Sequence, residues 1–250
     1  MANIIRCELP DGIHRFKPFT VEDYRDFLLV RNDITSKTEE EQSQILDELQ
    51  KDYFPEYPRA QRAYIFLKVF LSSIGKTKIP VRIECPVCGN TKAHLFNLHQ
   101  EPMIDPEIEV AGLKIKFKFP EKDYGEDLAS MVTENIVSVK DDSSTYLWTE
   151  LSDENKLQVI EALDIETFEN IITKMSVFNF TLKTSCCRSQ EIKYRNFKDL
   201  FNLLLHPDEI FTFYKINHHI TKQGYSLESI MRMIPIERGI TLSLIEKDLS

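Results

Sequence analysis

Apolar side chains recur every three to four positions along residues 20–75, the spacing of helices that bury one face. Thr20 with Asp23 three positions later resembles a capping box, and Val21, Tyr24, Phe27 and Leu28 fall on one side of the helix it would open. A second helix is expected from Thr38. Glu39, Glu40 and Glu41 occupy a first turn where the helix dipole favours negative charge, Ile45, Leu46 and Leu49 follow at helical spacing, and the helix ends before Pro55. A third starts at Pro58, and Tyr64, Phe66, Leu67, Val69, Phe70, Leu71 and Ile74 make it apolar nearly all round, which predicts a central, buried position. Gly75 suits its C-terminal cap.

At Ile79 the period drops to two. Val81 and Ile83 alternate with Arg82 and Glu84, the string Cys85-Pro86-Val87-Cys88-Gly89 makes a tight turn, and the segment from His94 to Leu98 returns, so a hairpin is expected. A second β signal runs from Ile108 to Val110 and from Leu113 to Phe119 around Ala111-Gly112, closed by Pro120. Helical spacing resumes over 126–139 and 151–175, the latter started by Ser152 and Glu154, with 140–144 read as a surface loop between them. A third β stretch, from Val177 to Lys183, leads into Cys186-Cys187, and the run from Glu191 to Tyr194 leads away, repeating the order found around Cys85. From Asn196 the chain reads as three helical pieces, broken at His206-Pro207 and at Gly224, with Ser226 capping the last and Pro235 kinking or restarting it.

This pattern predicts an α+β fold, mostly helical, with a small β-hairpin module. Residues 1–78 form an N-terminal helical part, 79–124 and 177–195 the hairpin module, and 125–176 with 196–250 a further helical part, all within one compact unit. Composition then narrows the classes. With 250 residues, 31 Lys and Arg against 40 Asp and Glu, and a net charge of −9, the chain carries no overall electrostatic footprint for nucleic acid. The first ten residues lack an apolar secretory core, and the greasiest run, 63–74, is interrupted by Lys68 and falls short of the roughly 20 residues needed to cross a bilayer. A cytoplasmic protein without a membrane span is expected.

Five cysteines are too few for a disulfide scaffold, and four of them are paired as Cys85/Cys88 and Cys186/Cys187. Two thiolates separated by two residues can point at one ion, and Gly89 permits the turn that aims backbone N–H groups at sulfur, a zinc-knuckle pattern. One such pair is half a site. Cys186 and Cys187, at the matching place in the other hairpin, complete a zinc-ribbon-like set of four cysteines, although adjacent cysteines lack a spacer and strain coordination of a single ion. His94 or His99 is an alternative fourth ligand, and reduced structural thiols or a redox pair are alternative readings. A redox Cys-x-x-Cys would be followed by a helix, whereas a turn and a strand follow Cys88.

Other chemistry is thin. Gly75-Lys76-Thr77 resembles the end of a phosphate loop, but position 70, which would need glycine, is Phe, and a helix rather than a strand precedes it. His206, His218 and His219 have no acidic partner at metal spacing, and Asp208-Glu209 with Glu39 to Glu41 sit where helix starts favour acids, so no catalytic residue is nominated. The tail holds more apolar surface, from Ile210 to Ile216 and Leu227 to Ile236, than two short helices bury internally; it either completes the core or contacts a partner or a second copy.

Taken in order, the string from Phe16 to Arg31, Tyr57-Pro58, Ser73-Ile74-Gly75, Cys85-Pro86-Val87-Cys88, Cys186-Cys187 and the string from His206 to Phe211 resemble the baseplate hub assembly proteins of T-even-type tailed bacteriophages. The resemblance runs nearly the whole chain and rests on order and spacing rather than on one motif. It implies a non-enzymatic assembly factor that acts in the host cell cytoplasm through contacts with phage baseplate hub proteins. Alternatives are a structural subunit retained in the virion and a zinc-stapled adaptor of another pathway.

Overall fold

The computed structural model describes residues 4–122, 124–125 and 127–248. The chain opens with a hairpin, β1 (Ile5–Leu9) and β2 (Gly12–Phe16), turned at Pro10-Asp11, residue types whose preferred backbone favours tight turns. The apolar spacing that marks the helices begins only at residue 20 and does not reveal this hairpin. Three helices follow: α1 (Val21–Asp33), α2 (Glu39–Tyr53) and α3 (Arg59–Ile74). Both expected caps form. The Thr20 hydroxyl accepts from the Asp23 N–H while Asp23 accepts from the Thr20 N–H, and Thr38 with Glu41 repeats the arrangement, satisfying donors that a helix start leaves open.

Helix α3 is buried on nearly every side, from Ala60 to Ser73. Its Phe66 ring lies 5.0 Å from Phe19, 4.9 Å from Phe27 and 5.1 Å from Phe197, so the main core is an aromatic cluster threaded by this helix. Gly75 ends it at φ 68°, a left-handed conformation open to glycine at little cost, and is packed against Ile236 of the tail. The phosphate-loop string is therefore a helix cap.

Two hairpins carry the cysteines: β3 (Lys78–Glu84) with β4 (Thr91–Asn97), and β9 (Phe180–Ser185) with β10 (Ser189–Tyr194). Their inward residues Ile79, Val81, Phe96 and Leu182 join the main core. Between them in sequence lies a second core. An antiparallel sheet in the order β5 (Glu107–Val110), β6 (Leu113–Phe117), β7 (Ile136–Lys140) and β8 (Thr145–Leu147) packs Ile108, Ile115, Phe117, Ile136 and Val139 against α4 (Leu128–Glu134), α5 (Asp153–Glu161) and α6 (Ile165–Met175). Residues on both sides of position 125 share this core.

Here the structure corrects the sequence reading. The helix expected over 126–139 stops at Glu134, and Ile136–Lys140 is a strand pairing with β6, Ile115 opposite Val139. Three β-branched residues, Ile136, Val137 and Val139, fit a pleated surface better than a helix once β6 offers an edge. Buried Asn135 makes the switch, its amide donating to the Met131 carbonyl at 2.7 Å and the Tyr124 hydroxyl at 3.1 Å. The surface loop at 140–144 is a tight turn in which Asp141 accepts from the backbone of Ser143 and Ser144. The run 151–175 is two helices, the second capped by Asp164.

The tail forms α7 (Phe197–Leu204), α8 (Glu209–Thr221), α9 (Leu227–Arg232) and α10 (Pro235–Asp248). Pro235 restarts the chain as the first residue of α10, where its missing N–H costs nothing.

Candidate metal centre

The turns of the two cysteine hairpins face each other. In the first, Cys85 donates its N–H to the Asn90 carbonyl at 2.9 Å, and Gly89, at φ 70°, donates to the Cys85 carbonyl at 2.8 Å, curling the loop around the Cys85 sulfur. In the second, Ser185 pairs with Ser189, so Cys186, Cys187 and Arg188 form the connection itself. Adjacent residues of a strand point to opposite faces, but these two sit in a turn, with the Cys186 N–H bonded to the Arg188 carbonyl at 3.2 Å. The absent spacer is thereby accommodated.

The Sγ atoms of Cys85, Cys88, Cys186 and Cys187 lie within 4.8 Å of one another, and Cys88 and Cys186 are 3.6 Å apart. A zinc–sulfur bond of about 2.3 Å implies about 3.8 Å along each edge of a tetrahedron, so the four sulfurs fit such a polyhedron after small adjustment. Neither histidine joins them: His94 Nε2 is bonded to the Thr184 hydroxyl at 2.8 Å, and His99 Nε2 lies 3.8 Å from the Glu101 carboxylate. Cys7 is fully buried elsewhere in the main core, where desolvation pushes its thiol up to about 12.

The four thiols do not share one electrostatic environment. Backbone N–H groups of Cys187, Val87 and Cys88 point at the Cys85 sulfur and hold its thiol down to about 6. Cys186, hydrogen-bonded to Cys88, is raised to about 11, and Cys187 is raised for the same first reason. Four adjacent thiols cannot all ionise against one another unless a positive ion lies between them. Cys85 is buried, while the other three are exposed and open to entry of an ion.

Contacts away from the sulfurs also join the hairpins. Lys92 Nζ donates to the Ser185 carbonyl, His94 meets Thr184, and the Phe96 ring lies 5.2 Å from Tyr194 and 6.3 Å from Phe180. Sequence reasoning missed these cross-links because each depends on how two hairpins roughly 100 residues apart dock, although His94 lies on the strand that the pattern predicts.

Residues 1–202 match the family described as T4 bacteriophage base plate protein. The chain belongs to that family. Residues 204–250 match a second description, baseplate hub assembly protein Gp51 C-terminal domain, and together the two matches give this base plate protein a role in phage baseplate hub assembly. No curated protein and no solved structure shows a significant match.

A cleft of about 420 Å³ opens between the two cores of the base plate protein, lined among others by Asp47, Arg59, Lys122, Arg195 and Lys198. Most of these charges are paired: Arg59 with Asp47, Lys122 with Glu134, and Lys198 with Glu39. Such pairs tie elements together. No described helix is long and apolar enough to cross a membrane.

Proposed function

We propose that the chain performs its role in hub assembly without catalysis, by binding baseplate hub subunits in the infected cell, and that Cys85, Cys88, Cys186 and Cys187 hold one structural Zn²⁺. The reading of the role rests on the paired family matches over 1–202 and 204–250, whose descriptions name a base plate protein and a hub assembly protein. That of the metal rests on the four sulfurs within 4.8 Å. An all-thiolate set of this kind suits Zn²⁺, which tolerates a closed tetrahedron without redox chemistry. The ion would staple residues 85–88 to residues 186–187, and so fix the hairpins against the helical core.

The base plate description over the larger part of the chain also favours a second reading, a subunit retained in the virion. Mass spectrometry of purified virions beside affinity capture from infected cells separates the two. An assembly factor is captured with hub subunits and is absent from particles; a structural subunit appears in particles at fixed copy number. Recovery with neither refutes both.

A further inference from the structure

Helix α8 buries Phe213, Asn217 and Ile220 against the body of the protein. On the opposite side Phe211, Tyr214, Lys215, His218 and Lys222 follow at the spacing i, i+3, i+4, i+7 and i+11, one continuous outward stripe about 16 Å long. Phe211 is 76% exposed and Tyr214 53%. Large aromatic rings left in water on adjacent turns are costly to keep for solubility alone, and aromatic residues are the side chains that interfaces enrich.

The charge on this face is as unusual as its rings. The chain carries −9 overall, yet no Asp or Glu occurs in the 18 residues 210–227, and every charge there is Lys or potentially charged His. Of the acids at its border, Glu209 accepts from the Tyr24 hydroxyl at 2.9 Å, Glu22 and Asp26 both hold Arg25, and Glu228 lies 2.7 Å from Arg232, while Asp208 is exposed, 3.5 Å from His206. A solvent-facing helix normally mixes both signs.

The same stripe falls inside the segment 204–250 that matches the hub assembly C-terminal domain, apart from the body that matches the base plate family. We propose that the outward face of α8 is the docking surface for an acidic amphipathic helix of a baseplate hub subunit, an inference that rests on the reading of the chain as a binder of hub subunits. The partner helix packs apolar side chains on Phe211 and Tyr214 and sets carboxylates against Lys215 and Lys222. A second copy is the poorer occupant, because a two-fold pairing through this stripe places Lys215 and Lys222 among their own symmetry mates.

The test places a photocrosslinking amino acid at exposed position 211 in full-length protein co-expressed with the hub subunits of its phage. Position 211 should crosslink to an acidic segment of a hub subunit. Phe211→Ala with Tyr214→Ala should weaken binding to that purified subunit about tenfold or more without moving the melting temperature. Lys215→Glu with Lys222→Glu should slow association and flatten its salt dependence. If affinity capture recovers hub subunits and position 211 crosslinks to none of them, the α8 surface is refuted while hub binding stands; if capture recovers none, both fall. Crosslinking of position 211 only to a second copy refutes the proposal, as does binding of the purified protein only to phosphatidylglycerol/phosphatidylethanolamine vesicles or to single-stranded DNA.

Discussion

Removing the proposed Zn²⁺ should loosen a defined part of the molecule rather than unfold it. Cys88 and Cys186 are 98 positions apart, so an ion joining them closes a loop of that length. A covalent cross-link of about 100 residues lowers the entropy of the unfolded chain by an amount worth about 4–5 kcal/mol, which serves as an upper bound for the staple. The folded state retains the Lys92 and His94 bonds and the Phe96 rings, and Ile79, Val81, Phe96 and Leu182 stay in the main core, so a part of the hairpin docking survives. At about 2–4 °C per kcal/mol for a chain of this size, Cys88→Ser or Cys186→Ser should lower the melting temperature by roughly 10 °C while helical circular dichroism persists. Metal analysis of the parent should find about one zinc per chain, and either variant should lose it, whereas Cys7→Ser should keep it. A parent purified under reducing conditions without metal, and unresponsive to added Zn²⁺ in its melting, would refute the staple.

Gly75→Ala should destabilise by at least about 1–2 kcal/mol from the left-handed backbone alone, and by more because the new methyl meets Ile236, read in urea unfolding; a neutral result contradicts the packing of α10 on α3. Burial raises Cys7 and Tyr64 to about 12 from ordinary values of 9.0 and 10.0, so the unfolded chain releases these protons first. The contribution of these two groups to stability should therefore be constant below about pH 9 and fall steadily from there to about pH 12, and a rise in stability between pH 9 and 11 would refute the burial of both groups. Deleting residues 226–250 removes buried Ile230 and Ile245 and should yield a chain that aggregates or melts without cooperativity; a soluble, cooperatively melting fragment would show that these helices lie outside the core.

Local signals in the sequence were read correctly where the interaction that makes them is itself local. Thr20 and Thr38 cap helices through residues three positions away, Gly75 caps through its own backbone, and Ala111-Gly112, both at positive φ, turn β5 into β6. What was missed depends on a distant edge. Ile136, Val137 and Val139 become a strand only because β6 lies open beside them, and the β1–β2 hairpin, although Pro10-Asp11-Gly12 offers turn chemistry, is held by α3. The four cysteines are legible as one converging set because their turns repeat one order of elements; how two adjacent cysteines reach it is not, since that depends on a three-residue connection whose length only the strand register fixes. The basic aromatic stripe of α8 was hidden for another reason. Phe211 and Phe213 look alike in sequence, and only the packing of the tail decides which ring is buried.

The boundary between the two family matches, near residue 203, does not coincide with a gap in the packing. Across it, Arg31 Nε donates to the Leu205 carbonyl at 3.0 Å, Asn32 to the Pro207 carbonyl at 3.2 Å, and the Val21 N–H to the Met233 carbonyl at 2.7 Å. Arg238 bonds Asn217 at 3.1 Å and sits 4.7 Å over the Phe213 ring, which stacks toward Tyr24, itself bonded to Glu209. Helix α1 is thus gripped along its length by the tail, and α10 is wedged against the end of α3 at Gly75. A tail on a flexible tether would have to be ordered by each partner that bound it, at an entropic cost to affinity. One clamped in this way presents the outward face of α8 already formed, and force or displacement applied to α8 reaches α1 and the aromatic core directly. The division between the two family matches is therefore carried on one continuously packed structure.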